Sequence, residues 1–84
     1  MSKSEKLIRR LLNKPKDFTW KELVSVLTNL GYQQKSSGKT GGSRVRFLHD
    51  SYPPIIIHRP HPSPVLKHYQ IDYVISLLKQ EELI

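Results

Sequence analysis

Four histidines, His49, His58, His61 and His68, are the side chains best suited to proton transfer near neutral pH. His58 and His61 bracket Arg59-Pro60, a spacing that suggests a metal pair. It falls on proline-rich backbone, however, and Asp50 is the one carboxylate nearby. A hydrolytic metal site generally takes three protein ligands, so no metal is expected and acid–base work is the better reading of this pair. His49 and His68 are better read as satisfying backbone carbonyls at the ends of elements. Serines are plentiful, yet no Ser, His and acid assemble by spacing into a nucleophilic triad. The absence of cysteine removes disulfides, thiolate metal sites and cysteine nucleophiles. Gly38-Lys39-Thr40 has the ending of a P-loop, but Gln33 stands where its first glycine belongs and no helix pattern follows. A basic, glycine-rich loop touching a phosphate backbone is the better reading. Tyr32, Tyr52, Tyr69 and Tyr73 stay open between core, rim and base-stacking roles.

Charge says what these groups would meet. The chain carries 14 Lys and Arg against 7 Asp and Glu, a net +7. Residues 31–70 hold Lys35, Lys39, Arg44, Arg46, Arg59 and Lys67 against Asp50 alone. Such a segment suits a polyanion, and nucleic acid is the commonest one in a cell. At 84 residues the chain is one domain, too short for a doubly wound nucleotide-binding sheet or a barrel. Its longest apolar run, Ile55-Ile56-Ile57, cannot span a bilayer, and Met1-Ser2-Lys3-Ser4 opens no signal pattern. A soluble cytoplasmic protein is expected.

The elements that must position these residues follow from periodicity. Residues 4–12 form a short helix carrying Leu7, Ile8, Leu11 and Leu12, broken by Pro15. Thr19-Trp20-Lys21-Glu22 is a capping box opening a second helix, with Phe18 and Leu23 as its hydrophobic staple. Gly31 is its left-handed stop. Strands are expected at 32–36, 43–49 and 54–58, the last two joined by a turn at Asp50-Ser51-Tyr52-Pro53. Three prolines in residues 59–64 make an irregular connection. A last helix starts near Tyr69 and carries Ile71, Val74, Ile75, Leu78 and Leu83 on one stripe. The fold class is therefore α+β, a three-stranded antiparallel sheet with helices on one face. If Val45, Phe47, Ile55 and Ile57 face the helices, then Arg44, Arg46, Ile56 and His58 face solvent. A hairpin that pairs Val45 with Ile57 and Phe47 with Ile55 sets Arg44 across from His58.

Gly42-Ser43-Arg44-Val45-Arg46-Phe47, Pro60-His61-Pro62, Leu66-Lys67 and the helix through Ile71 to Leu78-Lys79-Gln80 together resemble the HicA toxins of bacterial toxin–antitoxin modules. The resemblance runs from about Trp20 to Leu83, leaving residues 1–17 as an N-terminal helical extension of a single domain, 1–84. It implies a double-stranded-RNA-binding-like fold, metal-independent cleavage of messenger RNA, no cofactor, and neutralisation by a HicB-like antitoxin. One departure bears on mechanism: the family's catalytic histidine follows Gly-Ser, and here Gly42-Ser43 is followed by Arg44. Arginine holds a phosphate well and is a poor general base.

Taken together, these readings assign Arg44 to the phosphate, His58 to the base and His61 to the candidate acid. Lys35, Lys39, Arg46, Arg59 and Lys67 are the RNA-binding candidates. The alternative is a non-catalytic RNA-binding module of the same fold.

Overall fold

The computed structural model describes residues 3–36 and 44–84. In order along the chain these form α1 (Lys3–Leu12), α2 (Trp20–Asn29), β1 (Gln33–Ser36), β2 (Arg44–Leu48), β3 (Ile55–His58) and α3 (His68–Gln80). The strands make one antiparallel sheet in the order β1-β2-β3, so each consecutive pair is a hairpin. This is the α+β class expected from the sequence.

Local chemistry explains where the helices begin and end. The Thr19 hydroxyl accepts the Glu22 N–H at 3.2 Å, and the Glu22 carboxylate accepts the Thr19 N–H at 3.0 Å, closing the capping box of α2. Arg10 reaches across from α1, its Nε donating to Glu22 Oε2 at 2.9 Å and its Nη2 to Asp17 Oδ1 at 2.9 Å. At the other end of α2 the Tyr32 N–H bonds to Leu27 O and the Gly31 N–H to Thr28 O, with Gly31 at φ +98°. That is a Schellman stop, and it needs the left-handed residue that glycine supplies. The last helix ends the same way with a different residue. Leu83 N–H bonds to Leu78 O and Glu82 N–H to Lys79 O, with Glu82 at φ +59°. Leu83 therefore lies beyond the helix rather than on its stripe, and packs back against the core from there.

The core lies on one face of the sheet. Burial alternates along β2 and β3, with Val45, Phe47, Ile55 and Ile57 inside and Arg44, Arg46, Leu48, Ile56 and His58 outside. The inner face meets Leu23, Val26 and Leu27 of α2 and Ile71, Val74, Ile75 and Leu78 of α3 in one cluster of buried residues. The first helix belongs to the same core: Leu11 is fully buried, and Lys14 just beyond α1 pairs with Asp72 of α3 at 2.7 Å. Tyr32 precedes β1 as a core side chain, its hydroxyl donating to Pro53 O at 3.2 Å.

The connection after β3 is pinned to the start of α2. Trp20 N–H bonds to Pro64 O and Leu66 N–H to Phe18 O, both at 2.8 Å, which makes Thr19 and Val65 an isolated antiparallel bridge. Proline 64 offers only its carbonyl, and here that carbonyl is the group used.

Candidate functional site

The β2–β3 ladder pairs Arg44 with His58, Val45 with Ile57, Arg46 with Ile56 and Phe47 with Ile55. Because opposed residues share a face, the register that buries both apolar pairs also brings Arg44 and His58 together on the open side. The next row carries Lys35 of β1 opposite Arg46, with Ile56 beyond it. Like charges directly opposed across strands repel, so this row is stabilised by any anion laid over it.

Among the described residues no ion pair neutralises Arg44, Arg46, Lys35, Arg59 or Lys67. Ion pairs are instead found among the helices and the 13–17 connection, such as Arg10 with Asp17 and Glu22, and Asp72 with Lys14 and His68. Asp17, Glu22 and Asp72 are thus occupied away from the sheet, and the open face, where Lys35, Arg44 and Arg46 are exposed, keeps its positive field. Lys39, with Gly42 and Ser43, lies outside the described residues.

Arg59 and His61 follow His58 directly along the chain but border a different hollow. They line a hollow of about 460 Å³ with Trp20, Lys21, Pro60, Pro62 and Pro64. His58 lines a separate hollow of about 340 Å³ with Ile56, Ile57, Tyr69, Gln70 and Tyr73. The structure thus joins Arg44 to His58, sets Lys35 and Arg46 beside them, and gives Arg59 and His61 a basic hollow of their own. Lys67 is exposed immediately before α3.

The other histidines are occupied structurally. His49 Nδ1 accepts the Ser51 N–H at 2.9 Å, which leaves Nε2 to donate to Leu30 O at 3.1 Å. The ring also meets Tyr32 and Tyr52 edge-on, at centroid distances of 5.0 and 4.6 Å. His68 pairs with Asp72 one turn along α3, at 3.2 Å. Asp72 is held below the usual carboxylate range, chiefly by Lys14 and secondarily by His68.

Gln70 was not legible as a site residue. It is the one buried polar side chain among the described residues, 4% exposed. Its Oε1 accepts the Lys67 N–H at 3.0 Å and its Nε2 donates to His58 O at 2.8 Å. One amide therefore caps α3 and fixes the end of β3 that carries His58. The cap pattern that could have revealed it was hidden, because Lys67 stands where a Ser or Thr marks a helix start. No group of three or more His, Asp or Glu among the described residues could hold a metal.

A family model described as the HicA toxin of bacterial toxin–antitoxin matches residues 20–82. The chain belongs to the HicA toxin family. The match takes in α2, the whole sheet and α3, and so every residue of the open face, whereas α1 lies outside it. HicA membership makes this a toxin-family protein with an antitoxin as its cognate partner. No curated protein and no solved structure matches the chain. No described helix is long and apolar enough to cross a membrane.

Proposed function

We propose that this HicA-family chain is an endoribonuclease toxin that cuts messenger RNA in the cytoplasm with acid–base groups of its own. The observation that carries the reading is Arg44 opposite His58 on a sheet face rich in unneutralised cations. The Arg44 guanidinium is suited to the two non-bridging oxygens of one phosphate. His58 takes the proton of the neighbouring 2′-OH, whose oxygen attacks phosphorus. The bond to the 5′-oxygen breaks, leaving a 2′,3′-cyclic phosphate and a 5′-oxygen that needs a proton. His61, three residues on, is the candidate donor. Lys35, Lys39, Arg46, Arg59 and Lys67 hold the flanking phosphates. An acidic, HicB-like antitoxin silences such a protein most simply by covering this face.

A second reading is favoured by Arg44 itself, since the resemblance gives HicA toxins a histidine there. In that reading the protein binds RNA on the same face and does not cut it. Incubation of single-stranded RNA with the protein in buffer containing EDTA separates the two. The nuclease reading expects cleavage, abolished in His58→Ala with RNA binding retained, and a weakening of both binding and cleavage in Arg44→Ala. Parental cleavage by His58→Ala sinks the assignment of the base; binding without any cleavage leaves the second reading.

A further inference from the structure

We infer that the hollow between the edge of β3 and α3 is a stacking site for one unpaired nucleobase of RNA, next to the phosphate at Arg44; the inference rests on the RNA reading above. Its lining is unusual for a surface this basic. Tyr69 is 65% exposed, Tyr73 40% and Ile56 46%, and all three border the same hollow as His58. Tyr69 and Tyr73 are one turn apart, so they project from the same side of α3. Tyr69 is the most exposed of the large hydrophobic side chains described. The four tyrosines thus divide: Tyr32 is core, Tyr52 packs on His49, and Tyr69 and Tyr73 alone stand at the candidate site.

The hollow is built rather than incidental. Tyr73 is fixed by the Ile56 N–H, which donates to its hydroxyl at 3.3 Å, and Gln70 fixes the base of the site through His58 O. These two contacts also decide against a peptide strand as the occupant. A strand added to an edge needs the outward N–H and C=O groups of that edge, and α3 side chains already use Ile56 N and His58 O. The remaining surface is aromatic and apolar, with Arg44, Arg59 and Lys67 on neighbouring backbone. That is the combination single-stranded nucleic acid uses: cations for the phosphates and rings for the bases. A base still paired in a duplex has both faces covered and cannot enter, so the site selects unpaired RNA.

The test uses 2′-O-methyl oligonucleotides, which lack the attacking 2′-OH and stay intact while bound. Affinities of the wild-type protein are measured for a single strand, for an abasic strand of equal length and charge, and for the corresponding duplex. The site predicts that wild type binds the base-bearing strand about tenfold or more tighter than the abasic one. Tyr69→Ala removes that difference and leaves abasic binding unchanged, while Tyr69→Phe keeps it. If wild type binds both single strands equally, the stacking site is wrong and the RNA reading stands. A preference for bases that survives Tyr69→Ala, or a duplex bound as tightly as the single strand, also overturns it. Failure to bind any of the three removes both the site and the reading on which it rests.

Discussion

Arg44 and His58 stand directly opposite each other across the β2–β3 ladder, both exposed, while the adjacent pair Val45 and Ile57 is buried. The two pairs are one structural fact. A shift of one residue would put the charged pair into the core, so the apolar packing that stabilises the hairpin also holds the arginine opposite the histidine. An active pair fixed in this way depends on geometry as well as charge. Arg44→Lys keeps the charge and loses the planar fork. RNA cleavage should fall about tenfold or more in this variant, whereas the salt dependence of RNA binding, which counts charges, should match the parent. Kinetics and salt titrations on the same preparation check both halves.

The unneutralised face predicts how steep that salt dependence is. If four of the cations on or beside the sheet each meet a phosphate, the logarithm of the binding constant falls with the logarithm of salt with a slope of about −3 for single strands. A slope near zero in a fluorescence-anisotropy titration would remove the phosphate contacts from the proposal.

Gly31 and His49 make a stability prediction independent of RNA. Gly31 has φ +98°, and a Cβ there would stand 2.7 Å from His49 Nε2. Gly31→Ala therefore strains the backbone and displaces the ring that bonds Leu30 O. The combined cost should be about 2–3 kcal/mol in urea unfolding. In a His49→Ala background the clash is gone, and the same substitution should cost only about 1–2 kcal/mol, the backbone part.

Much of this was legible in the sequence because the signals are short. Thr19 and Glu22, Gly31 after Leu30, and the alternation through Val45 and Phe47 each need only a few neighbours to be interpreted. The hairpin register followed from matching two apolar pairs, and with it the Arg44–His58 opposition. What was not legible depends on contacts between distant segments. Nothing local ties Thr19 to Val65, Gln70 to His58, or Tyr73 to Ile56. The same limit kept the four tyrosines undivided, since exposure is decided by what packs over a ring. The end of α3 was misjudged for a local reason: Glu82 takes a left-handed conformation that its residue type does not announce.

Gln70 gives a prediction that separates positioning from charge. Gln70→Glu keeps the oxygen that accepts the Lys67 N–H and replaces the nitrogen that donates to His58 O. A carboxylate against a carbonyl oxygen repels it, so the buried contact should turn unfavourable by about 1–3 kcal/mol in chemical unfolding. Cleavage should fall along with stability, because the end of β3 moves, while the phosphate contacts of Lys35 and Arg46 on the central rows remain. Binding with an unchanged salt slope and impaired cleavage is the expected signature.

Glu22 sets the acid limit of the fold. The hydrogen bond from Arg10 holds its carboxyl below the ordinary value of 4.5, helped by the Thr19 N–H and opposed by partial burial. A carboxylate with a lowered folded pKa contributes stability that is fully present above its unfolded value. That contribution is lost as pH falls through the lower folded value. The wild-type protein should therefore lose stability on acidification below about pH 4.5, and part of that loss belongs to this residue. Glu22→Gln removes the charge and keeps an oxygen for the Thr19 N–H. At neutral pH it should be less stable than wild type by about 1 kcal/mol, the sum of a weakened cap and a lost ion pair. The gap should close toward zero as pH falls, because the wild-type carboxylate becomes protonated while the amide does not titrate. Thermal melts of both proteins across the acid range decide the matter: a gap that stays constant with pH would show that the Arg10–Glu22 pair contributes nothing through its charge.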